Sequence, residues 1–337
     1  MQQHTPQLAV IGSGSWGTTL AIAASRAGTA VSLVARNEEV FASLRDDRRH
    51  PHSLPGIHVP EEIQISPSAV EAISSADVVL LVIPTQKLRQ ALEPLVASLR
   101  GRIVITASKG IEIGTSMLPS QILEDVIGNH EDTPLGVLSG PNLAMEIAEG
   151  KPGTTVIASR NLDAAAIAQS MLMSESFRVY TSSDEVGVQF GGALKNIIAI
   201  GAGIGDGMDA GDNAKAAFIT RGITEIARLG VHFGADPLTF AGLSGIGDLI
   251  CTCSSSLSRN HRVGQGIAQG NSLEEILADM SEVAEGVDTT RATVQLARDN
   301  GIEMPIAEEM YKVLFEGRSP IEAVRALMMR EPRIERI

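Results

Sequence analysis

A single lysine stands in the most apolar stretch of the chain. Residues 188–205 read VQFGGALKNIIAIGAGIG, and after Gln189 their only charged or amide side chains are Lys195 and Asn196. Burial disfavours the charged form of an amine, and a lysine that titrates near neutral pH can serve as a general acid or base. Lys195 is therefore either a proton donor and acceptor or a lysine whose charged end reaches outward to water.

A second unusual segment, residues 242–262, reads GLSGIGDLICTCSSSLSRNHR. Asp248 lies among glycines, and a run of serines leads into Ser258, Arg259 and Asn260. Serine hydroxyls, backbone N–H groups and an arginine fork suit a phosphate, so the segment is either a phosphate grip or a flexible serine-rich loop. The C-x-C pair and the one distant histidine lack the ligand spacing of a zinc site, and no metal is predicted.

Two more polar residues follow predicted strands. Lys109 comes directly after the strand 102–107 (RIVITA) and before Gly110, where it could meet an anionic or polar substrate or simply lie in water. Asn142 follows a Gly-Pro turn after the strand 135–139, and we predict that it caps a helix over 143–149. Lys215 and Arg221, in NAKAAFITRG, are interpreted as surface or structural charges.

The element that orders the chain is a glycine turn near its start. An apolar run ends at Ile11, Gly12, Gly14 and Gly17 follow with G-x-G-x-x-G spacing, and an Ala-rich helix comes next. This pattern predicts a dinucleotide whose pyrophosphate sits on the helix N-terminus, the alternative being a structural turn. Arg36, after a second strand at 31–35, favours NADP over NAD unless it is only a solvated side chain.

The remaining pattern separates two domains. Residues 41–60 are polar and predict a loop, and the apolar run 77–84 predicts a buried parallel strand that ends at Pro84. Further strands are predicted at 154–159 and 177–181, and helices at 86–99 and 162–173; from 184 onward the apolar spacing is helical. We predict an α/β Rossmann dinucleotide-binding domain over 1–188 and an all-helical substrate-binding and catalytic domain over 189–337.

Composition limits the function classes. The 337 residues carry a net charge of −13, which argues against nucleic acid and anionic membrane surfaces as partners. Only two cysteines occur, Cys251 and Cys253, as expected in a reducing compartment. The start of the chain does not resemble a signal peptide and no stretch is typical of a stable membrane span, so a cytoplasmic protein is expected. A homodimer through the helical domain is a hypothesis only.

Taken in order, the motifs resemble a known family over nearly the whole chain. They are GSGSWGTTLA, SKGIE, SGPNLAMEIA, GGALKNIIAIGAGI, NAKAAFITRG, GIGDLICTCSSSLSRNHRVG and VAEG. Their order and spacing are similar to those of the bacterial NAD(P)-dependent glycerol-3-phosphate dehydrogenases. The resemblance implies reversible reduction of dihydroxyacetone phosphate to sn-glycerol 3-phosphate by NADPH or NADH, which supplies glycerophospholipid synthesis.

The resemblance also implies roles for particular residues. Lys195 would exchange a proton with the substrate oxygen, Lys109 would polarise the substrate, Asp248 would hold Lys195 or a substrate hydroxyl, and Asn196 would orient the same oxygen. The implied substrate contacts are Lys109, Gly140, Asn142, Lys195, Asp248, Ser258, Arg259 and Asn260. The implied cofactor contacts are Gly12, Gly14, Ser15, Trp16, Gly17, Arg36, Lys109, Ala144, Arg259, Val283 and Glu285.

One loop departs from the family pattern, with His50 and Ser53 ahead of Leu54-Pro55, which leaves open any contact made by that loop. Two other hypotheses remain open. A β-hydroxyacid or ketopantoate reductase would need a carboxylate grip instead of a phosphate grip. A redox-sensing dinucleotide binder would leave Lys109, Lys195 and Asp248 without a role.

Overall fold

The computed structural model describes residues 6–128, 131–280, 283–331 and 334. The chain folds into two compact units, the first made of Met1–Ser108 with Pro119–Glu185 and the second of Lys109–Leu118 with Val186–Ile337. The prediction assigns 1–188 to one domain without interruption. The segment 109–118 instead belongs to the second unit, because Ile111 and Leu118 are buried in the core of that unit.

The first unit is built on one eight-stranded sheet. The strands are β1 (Gln7–Ile11), β2 (Ala30–Val34), β3 (Gln64–Ser66), β4 (Val78–Leu81), β5 (Ile103–Thr106), β6 (Leu135–Ser139), β7 (Gly153–Ala158) and β8 (Phe177–Ser182). Their order in the sheet is β3-β2-β1-β4-β5-β6-β7-β8, and neighbouring strands are parallel except for β6 and β7.

Helices accompany these strands because both faces of a parallel sheet must be covered. They are α1 (Ser15–Arg26), α2 (Glu38–Asp46), α3 (Ala69–Ser74), α4 (Thr85–Leu92), α5 (Val96–Leu99), α6 (Pro119–Ile127), α7 (Ala144–Glu149) and α8 (Leu162–Leu172). All four residues of β4 are buried, as its unbroken apolar run predicts. The predicted helix over 86–99 is split by a 3₁₀ turn, Glu93–Leu95, which contains Pro94.

The loop prediction over 41–60 is wrong at its start. α2 runs through to Asp46, and its first turn is capped by the side chain of Asn37, which accepts a hydrogen bond from the Val40 N–H at 3.0 Å. The helix is short and mostly polar, and it buries only Val40 and Leu44. Because the apolar stripe of α2 is so narrow, the helix has almost no apolar periodicity in its sequence, and its polar residues resemble those of a loop.

The second unit is helical. Its elements are α9 (Glu185–Gly207), α10 (Asp212–His232), α11 (Asp248–Ser254), α12 (Arg259–Ala268), α13 (Leu273–Ala278), α14 (Glu285–Asp299), α15 (Pro305–Phe315) and α16 (Pro320–Met328). A 3₁₀ turn, Pro237–Ala241, and a π-type turn, Leu243–Gly247, join α10 to α11. Together with the parallel-rich sheet of the first unit, this confirms the predicted fold class.

The long apolar helix α9 is the centre of the second unit. Its side chains Phe190, Leu194, Ile197, Ile198 and Ile200 are each at most 2% exposed. A helix that is apolar on nearly every side is stable in water only when other helices surround it. None of the described helices combines the length and the hydropathy that a membrane crossing needs.

Candidate active site

The turn between β1 and α1 accepts only glycine at two positions. Gly12 has φ +118°, and a Cβ there would lie 2.2 Å from the carbonyl oxygen of Val82. A Cβ at Gly17 would lie 1.8 Å from the carbonyl oxygen of Gly12. Both distances are far below van der Waals contact, so a side chain at either position would force the turn away from its strand.

Gly14 has a different environment. A Cβ built there would meet no protein heavy atom within 4 Å, and the start of α1 at Ser15 has neither a side-chain cap nor an acidic residue in its first turn. The first N–H groups of a helix need acceptors and attract negative charge. The turn therefore fits a pyrophosphate above Gly14 and against the first turn of α1, which includes Trp16.

Two other predicted cofactor contacts lie in the first unit. Arg36 is exposed, two residues past β2, and β2 pairs in parallel with β1. Ala144 is the first residue of α7, and its carbonyl oxygen accepts a hydrogen bond from Thr19 Oγ1 at 3.1 Å, which ties α7 to α1. Both residues are thus attached to elements that flank the glycine turn.

The prediction that Asn142 caps α7 is wrong. The residue before α7 is Leu143, and no side-chain cap is present. The amide of Asn142 instead pairs with β7: Nδ2 donates to the Thr154 carbonyl oxygen at 2.9 Å, and Oδ1 accepts from Thr155 Oγ1 at 3.1 Å. Gly140 packs on the same strand, since a Cβ there would lie 2.9 Å from the α-carbon of Thr155. The hydrogen bonds of Asn142 with β7 therefore outweigh the tendency of asparagine to cap the helix that follows it.

His50 and Ser53 have a structural contact with one another. The His50 Nδ1 atom accepts hydrogen bonds from the backbone N–H groups of His52 at 3.1 Å and Ser53 at 3.0 Å. These bonds stabilise a local turn over residues 50–53.

In the second unit, two lysines share one buried carboxylate. Asp248, the first residue of α11, is 0% exposed. Its Oδ1 accepts a hydrogen bond from Lys195 Nζ, and its Oδ2 accepts one from Lys109 Nζ at 2.8 Å. Lys109 reaches Asp248 because the segment 109–118 belongs to this unit. The three side chains, which are far apart in sequence, form one charged centre, which we call the lysine–aspartate centre.

Thr252 completes this centre and was missed by sequence reasoning. Its Oγ1 accepts a hydrogen bond from Lys195 Nζ at 2.7 Å and lies 2.7 Å from the Asp248 carbonyl oxygen, to which it donates. Thr252 follows Asp248 by four residues on α11, so the two side chains share a helix face. That spacing was the available signal.

The lysine–aspartate centre sets the protonation behaviour of Lys195. Burial lowers the pKa of Lys195 to about 8; the carboxylate of Asp248 opposes this effect, and the positive charge of Lys109 adds to it. An ammonium with a pKa near 8 can both give and take a proton close to neutral pH. Lys195 therefore has the properties of a general acid and base.

The position of Lys195 depends on a close approach one turn earlier in α9. A Cβ on Gly191 would lie 2.3 Å from the carbonyl oxygen of Ser244. Ser244 belongs to the π-type turn before α11, where Gly245 has non-helical angles. The backbone of α9 therefore touches the turn that presents Asp248, which explains why small residues precede Lys195.

The start of α12 joins the remaining predicted residues of this unit. Asn260 Nδ2 donates to Asn196 Oδ1 at 3.0 Å, and Asn260 Oδ1 accepts from the Gly286 N–H at 2.9 Å. Arg259 Nη1 donates to the Val283 carbonyl oxygen at 2.8 Å. Ser258 caps α12, since its Oγ accepts from the His261 N–H at 3.2 Å, and Glu285 is the first residue of α14.

The predicted residues thus form two sets. Gly12, Gly14, Ser15, Trp16, Gly17, Arg36, Gly140, Asn142 and Ala144 belong to the first unit, and Lys109, Lys195, Asn196, Asp248, Ser258, Arg259, Asn260, Val283 and Glu285 to the second. In the part of the chain that the structure describes, no group of three or more His, Cys, Asp or Glu side chains could hold a metal ion. Burial raises the pKa of the Cys253 thiol to about 12, which disfavours the thiolate that would bind a metal.

Two family models match successive parts of the chain. The N-terminal model of NAD-dependent glycerol-3-phosphate dehydrogenase matches residues 7–165, and the C-terminal model matches residues 184–325. The glycerol-3-phosphate dehydrogenase [NAD(P)+] of Dehalococcoides mccartyi is 47% identical over 326 residues, covering 96% of this chain and 90% of that protein. The protein of the same name from Streptomyces griseus is 42% identical and covers 99% of both chains.

A solved structure extends the likeness to three dimensions. The crystal structure of glycerol-3-phosphate dehydrogenase from Coxiella burnetii matches with a TM-score of 0.92 and 31% identity, over 97% of this chain and 99% of that chain. The resemblance inferred from the motifs is confirmed. The chain belongs to the NAD-dependent glycerol-3-phosphate dehydrogenase family.

Proposed function

We propose that this protein is an NAD(P)-dependent sn-glycerol-3-phosphate dehydrogenase, which reduces dihydroxyacetone phosphate to sn-glycerol 3-phosphate and catalyses the reverse reaction. The observation that carries the proposal is the lysine–aspartate centre in a member of this family. Asp248 is fully buried and binds both Lys195 and Lys109. Such a centre can supply the proton that reduction of a ketone requires close to neutral pH.

The nicotinamide cofactor supplies the hydride, and the protein supplies orientation and electrostatics. The glycine turn and the first turn of α1 would hold the pyrophosphate, with Ser15, Trp16 and Ala144 beside it. Arg36 is exposed at the end of β2 and carries the charge that a 2′-phosphate needs. We therefore propose that NADPH is preferred over NADH.

Lys195 would give its proton to the substrate oxygen during reduction and take it back during oxidation. Two of its three N–H donors are directed to Asp248 and Thr252 within the described part of the chain, and an ammonium has three donors. The third donor can therefore be directed to the substrate. At pH 7 a group with a pKa of about 8 is about nine-tenths protonated, so the acid form dominates.

Lys109 and Asn196 would stabilise the negative charge that develops on the same oxygen. The hydrogen bond from Asn260 engages Oδ1 of Asn196, which leaves Nδ2 as the donor side of that amide. Preorganised donors of this kind account for a large share of the rate enhancement in many enzymes. Asp248 keeps both lysines in place and offsets part of their mutual repulsion.

The start of α12 would bind the substrate phosphate. Ser258, Arg259 and Asn260 combine a helix N-terminus with a guanidinium and an amide, and α12 has ten residues. Gly140 and Asn142 are proposed as further substrate contacts, and Val283, Glu285, Arg259 and Lys109 as further cofactor contacts. Binding energy from the phosphate, which is remote from the reacting carbon, can be used to position that carbon.

We also propose the finer aspects of the biological role. The first unit would hold most of the cofactor, and the second would supply the proton donor and the phosphate grip, with a homodimer as the assembly. Cys251 and Cys253 are both free thiols, which is consistent with a cytoplasmic location. There the product would supply the glycerol backbone of glycerophospholipids.

A spectrophotometric assay of the purified protein tests the proposal. Oxidation of NADPH and of NADH is followed with dihydroxyacetone phosphate, with ketopantoate, and with no second substrate. Turnover with dihydroxyacetone phosphate alone, and sn-glycerol 3-phosphate as the product, is expected. Turnover with ketopantoate would support a carboxylate-binding reductase, and cofactor binding without any turnover would support a sensor; either result contradicts the proposal.

A further inference from the structure

A second carboxylate on α9 links three helices of the second unit. Asp206 follows Lys195 by eleven residues, about three helical turns, so both side chains leave α9 on nearly the same face. Asp206 Oδ2 accepts a hydrogen bond from Lys215 Nζ, on α10, at 2.6 Å and lies 2.8 Å from His261 Nε2, on α12. We call Asp206, Lys215 and His261 the Asp206 cluster.

The imidazole of His261 has its hydrogen-bond partner in this carboxylate. His261 is buried, with 4% of its surface exposed. Because an ionised carboxylate only accepts hydrogen bonds, Nε2 must carry a proton. Nδ1 is buried and has no partner among the described residues, so the contact with Asp206 is the only hydrogen bond of this ring in the described part of the chain. Burial raises the pKa of Asp206, but hydrogen bonds from Lys215 and His261 outweigh burial, and the net effect lowers it.

No side chains separate the backbones of α9 and α12 where they cross. A Cβ on Gly203 would lie 2.0 Å from the His261 carbonyl oxygen, and a Cβ on Gly264 would lie 2.0 Å from the Ile200 carbonyl oxygen. Where glycines bring two helix backbones together, few side chains interlock to prevent one helix from sliding along the axis of the other. The bond between His261 and Asp206 is a directional contact between these helices, in addition to the bond between Asn260 and Asn196.

We propose that the Asp206 cluster holds the first turn of α12 in register with α9, and thereby positions Arg259 and Asn260 for the phosphate end of the substrate. His261 directly follows Asn260 in that turn. Asn260 contacts Asn196, which neighbours Lys195, so a shift of α12 would move the phosphate grip relative to the proton donor. The proposal rests on the function proposed above. The members of the cluster are positioning residues, since the cluster lies about three turns along α9 from Lys195.

The test compares three variants with a matched control. Asp206→Asn weakens the link, His261→Phe removes it, and Lys215→Met leaves the bond between His261 and Asp206 in place. The control is Glu309→Gln in α15, because Glu309 is also a carboxylate with two cationic partners, Lys312 at 2.8 Å and Arg318 at 2.7 Å. Steady-state constants are measured for dihydroxyacetone phosphate and NADPH, with thermal melting by circular dichroism on every variant.

We expect Asp206→Asn and His261→Phe to raise KM for dihydroxyacetone phosphate about tenfold, the size of effect that a small misplacement of binding groups produces, with kcat and KM for NADPH changed less than about threefold. Lys215→Met should raise KM for dihydroxyacetone phosphate less. Glu309→Gln should lower Tm and leave KM for dihydroxyacetone phosphate unchanged. Unchanged KM in both Asp206→Asn and His261→Phe, or an increase equal to that of Glu309→Gln, would overturn the positioning role. Absence of turnover in the unaltered protein would instead contradict the proposed function.

Discussion

The two charges beside Lys195 should shift its pKa in opposite directions, and the pH dependence of the reaction should report both shifts. Asp248 raises the pKa of Lys195 and Lys109 lowers it, and burial brings it to about 8. In Asp248→Asn the side chain keeps its shape and loses its charge. An opposite charge at this distance typically changes a pKa by about 1–3, so the pKa of Lys195 should fall by that amount.

The magnitude follows from the protonated fraction. At pH 8 a lysine with a pKa of about 8 is half protonated. Lowering the pKa by about 1–3 leaves roughly 9% to 0.1% protonated, so reduction at pH 8 should slow by about 5- to 500-fold. Because the active form is the protonated one, activity is present below the pKa and is lost as the pH rises through it. Part of the loss should therefore be recovered at lower pH.

Lys109→Met is the counterpart with the opposite sign. Removing a like charge should raise the pKa of Lys195 toward its ordinary value, so that reduction persists to higher pH. The maximal rate should fall, because Lys109 is also proposed to polarise the substrate. The pH at which the rate declines on the alkaline side reports the pKa of Lys195, and the maximal rate reports the polarising role of Lys109. The two effects can therefore be measured separately.

The assay measures kcat/KM for dihydroxyacetone phosphate at saturating NADPH between about pH 5 and 10, which reports groups of the enzyme–NADPH complex before the second substrate binds. Ratios of variant to unaltered protein cancel the titration of the substrate phosphate. Glu309→Gln, which changes a carboxylate paired with Lys312 and Arg318 instead of with Lys195, should leave the alkaline limb of the profile in place. A limb that stays near its original pH in Asp248→Asn, or that moves in the same direction in both variants, would show that these two charges do not set the pKa of Lys195.

Three further predictions concern the cofactor and stability. Arg36→Asp should raise KM for NADPH far more than KM for NADH, since it places a negative charge beside the 2′-phosphate; equal increases would remove Arg36 from that site. Gly14→Ala should melt like the unaltered protein but bind NADPH more weakly by fluorescence titration, whereas Gly17→Ala, with a Cβ 1.8 Å from the Gly12 carbonyl oxygen, should lose stability as well. Burial raises the pKa of Glu225 from 4.5 to about 7, so its contribution to folding is present below pH 4.5 and is lost as pH rises through about 7. The free energy of unfolding in urea should fall over that range by up to about 3 kcal/mol, and Glu225→Gln should flatten the decline; an unchanged slope would contradict this.

Much of the first unit could be predicted because its signals are local. The G-x-G-x-x-G spacing lies within six consecutive residues, although the contact between Gly12 and Val82 is distant in sequence, and β4 is a continuous apolar run. Elements with weak local signals were missed, such as the short edge strand β3 and the mostly polar α2. Asn142 was misassigned because its partners, on β7, are distant in sequence, and a local capping rule cannot detect them.

In the second unit, the sequence identified the chemical groups but not their arrangement. Lys195 stood out as an amine in an apolar helix, yet its contact with Asp248 spans 53 residues and that of Lys109 spans 139. Helix periodicity indicates which face a residue occupies but not which helix it meets. The contacts of Thr252 and of the Asp206 cluster exist only in the packed fold, where α11 meets α9 at Thr252 and where α10 and α12 meet α9 at Asp206.

We propose that Lys195 exchanges a proton with the substrate during NADPH-dependent reduction of dihydroxyacetone phosphate. The most direct measurement compares kcat of the unaltered protein with that of Lys195→Met, while fluorescence titration gives the Kd for NADPH of each. We expect a fall in kcat of about 10²- to 10⁴-fold, as for other losses of a general acid, with a nearly unchanged Kd. Turnover close to that of the unaltered protein in Lys195→Met would contradict this role of Lys195.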